Sequence, residues 1–199
     1  MNMNLTEWFW KGRNMNAIII NGSPRNFGST SILLERVRQG LIRSGYETTV
    51  YCLGDMDINY CEGCKHCYDT GECIINDDMQ IIMGTLADAD IVVLGTPSYW
   101  GDVTGQMKVF IDRSTPYCDT NSNLKYISKM KLGISIVVRT GTDEKENIAI
   151  LEKIDHYFGH MGIKPIGRLS ATGIDSPKDL ESRHDYLKQA FELGKVVVK

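Results

Sequence analysis

The chain has no apolar run approaching the roughly 18 residues that a membrane-spanning helix needs, and no secretory h-region. Its opening stretch to Asn14 is polar and carries Trp8, Phe9 and Trp10, which does not suit a signal peptide. Thiols kept without a secretion signal lead to the expectation of a reducing cytoplasm and no membrane. An excess of positive charge is also missing. With 22 Lys and Arg against 25 Asp and Glu, the net charge is −3, which argues against nucleic acid as the main partner. No internal repeat or low-complexity tract is present. The first glycine loop has neither the G-x-G-x-x-G spacing of a dinucleotide site nor the Gly-Lys-Ser/Thr of a P-loop.

What is present is a chain of 199 residues, 42% of them hydrophobic, enough for one domain with a real core. Short β-branched runs alternate with amphipathic stretches. Ala17 to Ile20 reads as a buried strand, and Leu33, Leu34, Val37 and Leu41 repeat at helical spacing. Thr48 to Leu53, Ile91 to Leu94, Leu132 to Val138 and Pro165 to Leu169 read as further strands. Between them, helical stripes fall at Met79, Ile82, Met83 and Leu86, with Asp77 or Asp78 as cap, then at Met107, Phe110 and Ile111. A third stripe runs through Ile148, Leu151, Ile154, Phe158 and Met161. Ser176-Pro177 opens a last helix. Such alternation predicts an α/β fold, a doubly wound five-stranded parallel sheet of flavodoxin-like order 2-1-3-4-5. Residues 1–14 read as an N-terminal arm, and residues 15–199 as the domain.

Ligands of such sheets sit beyond the carboxyl ends of the strands, near the switch point. The loop after the first strand offers Ser23, Arg25, Gly28, Ser29, Thr30 and Ser31 at a helix N-terminus, where free N–H groups and the helix dipole favour an anion. A terminal phosphomonoester suits it; ordinary turn and capping chemistry is the plainer reading. The loop after the third strand, Pro97-Ser98-Tyr99-Trp100-Gly101, sets two aromatics where they can wall in a flat heteroaromatic ring, unless they only pack. Arg139 to Thr142, after the fourth strand, lies on the same edge.

Four of the six cysteines, Cys61, Cys64, Cys67 and Cys73, fall in a loop of residues 54–77 that is far longer than usual connections. The C-x2-C-x2-C-x5-C spacing suits a cubane iron–sulfur site; a metal-free thiol group and zinc are the alternatives. His66 reads as a solvated loop residue, Cys52 as an inert end of a buried strand, and Asp112-Arg113 as a structural pair. Cys118, in the polar 114–123 loop, has no assigned role and is expected toward the edge that would hold the flat ring.

Gly22-Ser-Pro-Arg25 with Gly28 and Thr30, Thr96 to Gly101, and Gly105 to Arg113 together resemble the NADPH-dependent FMN reductase superfamily. The cysteine quartet makes the chain similar to its iron–sulfur flavoprotein family. The resemblance covers the chain from about Asn16 and is strongest up to Arg113. Relatives often have Asn where this chain has Ser29, and the segment before Asn16 has no counterpart. It implies FMN as flavin and a [4Fe-4S] cluster on Cys61, Cys64, Cys67 and Cys73. Ser23, Arg25, Ser29, Thr30 and Ser31 would hold the phosphate, Pro97 through Gly101 would line the ring and ribityl chain, and Thr140 and Gly141 would close over the ring. It also implies a homodimer or homotetramer, a ferredoxin-like donor or NAD(P)H, and a small-molecule acceptor. No catalytic side chain is expected, because the two carriers do the chemistry. The alternative is a NAD(P)H-dependent FMN or quinone reductase without a cluster.

Overall fold

Ile18, Ile19 and Ile20 have no solvent exposure at all, so the strand that carries them must be covered on both faces. That strand, β1 (Met15–Asn21), is an inner strand of a five-stranded parallel sheet ordered β2-β1-β3-β4-β5. The others are β2 (Tyr46–Cys52), β3 (Ile91–Pro97), β4 (Lys131–Val138) and β5 (Ile163–Ala171). The computed structural model describes residues 14–121 and 130–195. The 1–13 stretch, with Trp8, Phe9 and Trp10, lies outside the described residues.

Side chains alternate across the sheet with period two. Ile18 and Ile20 belong to one core with Val92 and Leu94, whereas Ile19 joins Val93 and Ile136 in the other. The first core is closed by α3 (Met79–Asp88), α4 (Gly105–Arg113) and α5 (Lys145–His160) through Ile82, Met83, Met107, Phe110, Ile154 and Phe158. The second is closed by α1 (Ser29–Arg43), α6 (Pro177–Glu181) and α7 (His184–Gly194). A short α2 (His66–Thr70) lies in the cysteine loop. Helices α1 and α7 meet backbone to backbone. A Cβ on Gly40 would fall 2.2 Å from the Phe191 carbonyl oxygen, and one on Gly194 2.1 Å from that of Val37. No helix among the described residues is long and apolar enough to cross a membrane.

The sheet order and helix placement match the expectation, with differences of detail. β2 is an edge strand, mostly half-exposed or exposed, so Cys52 does not end a buried strand. Ile148 is exposed on α5; the inward face runs through Asn147, Ile150, Leu151, Ile154, Tyr157 and Phe158. Of the stripe read from the sequence, Leu151, Ile154, Phe158 and Met161 are buried as expected, and only Ile148 is turned outward. The last helix is two, because the Ser176 and Asp179 capping box starts only the single turn and a half of α6. Opposite Gly133 and Ile134, β5 carries a bulge that takes Ile166 out of register.

Candidate functional site

The chain turns left from β1 to β2 and right from β1 to β3, so the loops after β1 and β3 diverge over a cleft. After β1, the Gly22 N–H donates to the Gly95 carbonyl (2.8 Å), and a Cβ there would press to 2.9 Å on the Met107 side chain. Asn21 fixes the turn: its Oδ1 accepts from the Ser23 N–H (3.0 Å) and its Nδ2 donates to Ser31 Oγ (2.9 Å). Helix α1 then begins at Ser29 behind an extended Gly28. No side chain caps it, and its first turn has no acidic residue. Its leading N–H groups are thus left for an anion.

The cleft, of ≈ 110 Å³, collects Ser23, Arg25, Gly28, Ser29 and Thr30 from the first loop and Pro97, Ser98 and Tyr99 from the loop after β3. From β4 and the loops after β4 and β5 come Val138, Arg139, Thr140, Ile174 and Asp175. Ser23, Ser29 and Thr30 are buried. Ser31 is not a lining residue; it donates to the Arg25 carbonyl (3.0 Å) and lines a groove with Phe27 and Cys52 on the other side of the loop.

Tyr99 and Asp102 pair in both directions, N–H to carbonyl, at 2.9 and 3.1 Å. Between them Trp100 and Gly101 both have positive φ, +56° and +72°, which is the backbone of a two-residue type I′ turn. Trp100 is fully exposed at its tip. The aromatics are therefore presented by a tight hairpin rather than an open loop. Buried Thr104 anchors that hairpin. Its hydroxyl donates to the Gly22 carbonyl (2.6 Å) and accepts from the Met107 N–H (3.3 Å), so it joins the β1 loop to the start of α4. Glu146 bridges the other two loops, accepting from the Ser98 hydroxyl and pairing with Arg139 Nη2 (2.9 Å). Thr140 Oγ1 donates to Asp175 Oδ1 (3.2 Å). Gly141 packs against Arg139, and its carbonyl accepts from the Gly173 N–H (3.0 Å).

Residues 53–78 form the long connection from β2 to α3. Its base is closed by backbone and carboxylate bonds: Asp78 N–H to the Asp57 carbonyl (3.0 Å), Asp57 N–H to Asp78 Oδ2 (2.9 Å) and Asn59 N–H to Asp77 Oδ2 (2.9 Å). Cys61, Cys64, Cys67 and Cys73 are all free thiols and line one small cavity of ≈ 30 Å³ together with Arg113 and Pro116. Burial pushes the Cys67 thiol up, and the other three thiols, close around it, push it further. Among the described residues no three His, Cys, Asp or Glu side chains converge tightly enough for one metal ion. A cubane does not ask for that, since each iron takes its own thiolate.

Arg113, at the end of α4, is the buried residue at the centre of this loop. Its Nη1 donates to the Asn59 carbonyl (2.7 Å) and Asp77 Oδ2 (2.6 Å), and its Nη2 to Asp77 Oδ1 (3.0 Å) and the Ile75 carbonyl (3.4 Å). Asp112 pairs instead with Lys108 on the surface of α4, so the two neighbours act apart. Cys118 lies beside the cysteine loop, not the cleft. Its thiol donates to the Thr115 carbonyl (3.2 Å), and nearby Asn121 Nδ2 donates to the Cys67 carbonyl (3.0 Å). His66 is exposed at the start of α2.

Residues 15–173 match the family model described as NADPH-dependent FMN reductase. The chain belongs to this family. It falls in the family's iron–sulfur flavoprotein branch. An iron–sulfur flavoprotein of Archaeoglobus fulgidus is 35% identical over 185 residues, covering 93% of this chain and 80% of its own length. One from Methanocaldococcus jannaschii is 30% identical over 191 residues, covering 93% and 96%. Among solved structures, a NAD(P)H:quinone oxidoreductase from Methanothermobacter marburgensis superposes with a TM-score of 0.70 at 17% identity over 92% of this chain and 96% of that one. That likeness carries the fold. Membership makes the chain a flavin-dependent oxidoreductase, with FMN as the flavin of the family.

Thr104, Glu146 and Asp175 were not read from the sequence as site residues, and Arg139 was read only as the start of a loop on the ligand edge. Only the Thr104 position carried a local signal, as a cap three residues before Met107.

Proposed function

We propose that this flavoprotein couples a one-electron donor to FMN and a small-molecule acceptor through a [4Fe-4S] cluster held by Cys61, Cys64, Cys67 and Cys73. The observation that carries the reading is the common cavity of those four thiols, backed by buried Arg113. Four free thiols are the soft ligand set that iron–sulfur clusters use. The cleft likewise fits FMN: an uncapped helix N-terminus with no acid in its first turn and three buried hydroxyls suits a phosphomonoester.

In this reading Ser23, Arg25, Ser29 and Thr30 hold the phosphate, while Gly28 and Ser31 shape the turn around it. Pro97 through Gly101 flank the ring and ribityl chain from one side, and Thr140 and Gly141 from the other. When bound, the flavin exchanges one or two electrons and the cluster one. The protein's own part is to bind and orient. Thr104 fixes the β1 loop against α4, and the Ser98, Glu146 and Arg139 bridge holds the β3 and β4 loops at a set separation. Helix α4 runs from the cleft at Thr104 to the cysteine loop at Arg113, nine residues or about 13 Å at 1.5 Å per residue. A homodimer or homotetramer that brings one subunit's cysteine loop to another's cleft belongs to the proposal, as does a ferredoxin-like donor.

The second reading is a cluster-free NAD(P)H-dependent FMN or quinone reductase, favoured by the nicotinamide dependence in the family's description. Anaerobic purification with flavin, iron and sulfide analysis tests the proposal. FMN with four irons per chain and reduction by a ferredoxin is the expected result. FMN without iron, reduced only by NAD(P)H, hands the chain to the second reading.

A further inference from the structure

We propose that Arg113 sets the reduction potential of the cysteine-loop site, its buried guanidinium holding positive charge against the Cys73 thiolate. This rests on the cluster reading above. The side chains of Arg113 and Asp77 are each 1% exposed, deep enough that charge is poorly screened. The two Nη groups are occupied by Asp77 and by the Asn59 and Ile75 carbonyls. Nε is buried with no partner at hydrogen-bonding distance. Cys73 and Arg113 both line two cavities, the thiol cavity of ≈ 30 Å³ and one of ≈ 280 Å³ that also takes in Tyr117.

The ion pair is oriented. Burial works against the charged guanidinium, but Asp77 and the Cys73 thiolate outweigh it and raise its proton affinity. Arg113 lines both cavities with Cys73 and Asp77 lines neither, so the positive end of the pair is toward the cysteines and the negative end is set back from them. Each electron added to a cluster adds a negative charge, which a fixed positive charge stabilises. A residue that only closed the loop would need donors, not charge.

The test uses the full chain reconstituted anaerobically with iron and sulfide, its potential read by a redox titration followed by electron paramagnetic resonance. Arg113→Gln should lower the stability of the reduced state about tenfold or more, a shift of about 59 mV or more to negative potential for one electron. Arg113→Lys should stay within that interval of the wild type. Asp77→Asn should move the potential positive. A Gln variant with full iron at the wild-type potential overturns the inference, as do Gln and Asn variants shifted in the same direction. Should the Gln variant lose its iron, the Lys and Asn variants decide. A wild-type-like Lys potential with a positive Asn shift supports the inference, and an unmoved or negative Asn shift overturns it. A wild type without iron overturns the cluster reading itself, which is a different result from an iron-replete wild type with an insensitive potential.

Discussion

Asp77 and Arg113, 36 residues apart, form a two-pronged ion pair at 2.6 and 3.0 Å in which neither side chain reaches solvent. The pair joins the start of α3 to the end of α4, and through the Asn59 and Ile75 carbonyls it grips the cysteine loop on both sides of the quartet. Asp77→Ala leaves a buried guanidinium uncompensated and should cost about 3–5 kcal/mol, read by urea unfolding. The pH dependence follows from the carboxyl. Burial pushes it up, yet Arg113 and two N–H groups hold it below the usual carboxylate range. Its contribution is therefore complete above the unfolded value of about 3.9 and is lost as pH falls through the lower folded value. Wild type should lose this stability only below about pH 4, and Asp77→Asn should flatten that limb. An Asp77→Asn variant that keeps the wild-type acid limb would refute the assignment.

A second expectation concerns the quartet. Replacing any one of Cys61, Cys64, Cys67 or Cys73 by Ala should remove or grossly weaken the iron–sulfur absorbance, while Cys52→Ala and Cys118→Ala leave it intact. Cys52 lies at the end of β2, beside Asn21, and Cys118 bonds within its own turn. Flavin content should survive in all six variants, because the cleft draws on other loops. Cys61 and Cys64 are exposed, so iron should also fall on aerobic handling. Equal iron from aerobic and anaerobic preparations would count against an exposed cluster.

The sheet and its helices were legible because their signals are local. Ile18 to Ile20 is a β-branched run, and Leu33, Leu34, Val37 and Leu41 fall on one helical face, so burial could be read from spacing alone. The cleft followed from strand order, which brings the β1, β3 and β4 loops to one edge. Long-range pairing left no such trace. Nothing around Arg113 points to Asp77, and nothing near Ser98 points to Glu146, 48 residues on. On α5, Ile148 and Ile150 are equally apolar, and only packing against the sheet tells which one is turned inward. Trp100 was read as an aromatic wall, but its positive φ comes from a hairpin whose usual Asn-Gly signature is absent.

The anion end of the cleft gives a third prediction. Arg25→Ala and Thr30→Ala should each weaken FMN binding by about 1.5–3 kcal/mol, the loss of one hydrogen bond to a charged group. That is roughly tenfold or more in Kd for each, by flavin fluorescence titration. Riboflavin has no phosphate, and its affinity should change little in either variant. Stability without flavin should hold for Arg25→Ala, whose side chain is exposed. If riboflavin weakens in parallel with FMN, the phosphate does not sit at the N-terminus of α1.

Trp100 offers the sharpest separation of stability from binding. A non-glycine residue in the left-handed region costs about 1–2 kcal/mol, and here the side chain gives nothing back by burial, being fully exposed. In the proposed reading, this cost at the tip of a hairpin beside the cleft is kept because the side chain contacts the flavin. Trp100→Gly should therefore unfold at higher denaturant by about 1 kcal/mol while FMN binding weakens and flavin dissociation quickens. The Tyr99 and Asp102 bonds that frame the turn are backbone bonds and should persist. Amide exchange at Tyr99 and Asp102 checks that the hairpin stays closed. A variant that gains stability and binds FMN as tightly as the wild type would remove Trp100 from the site.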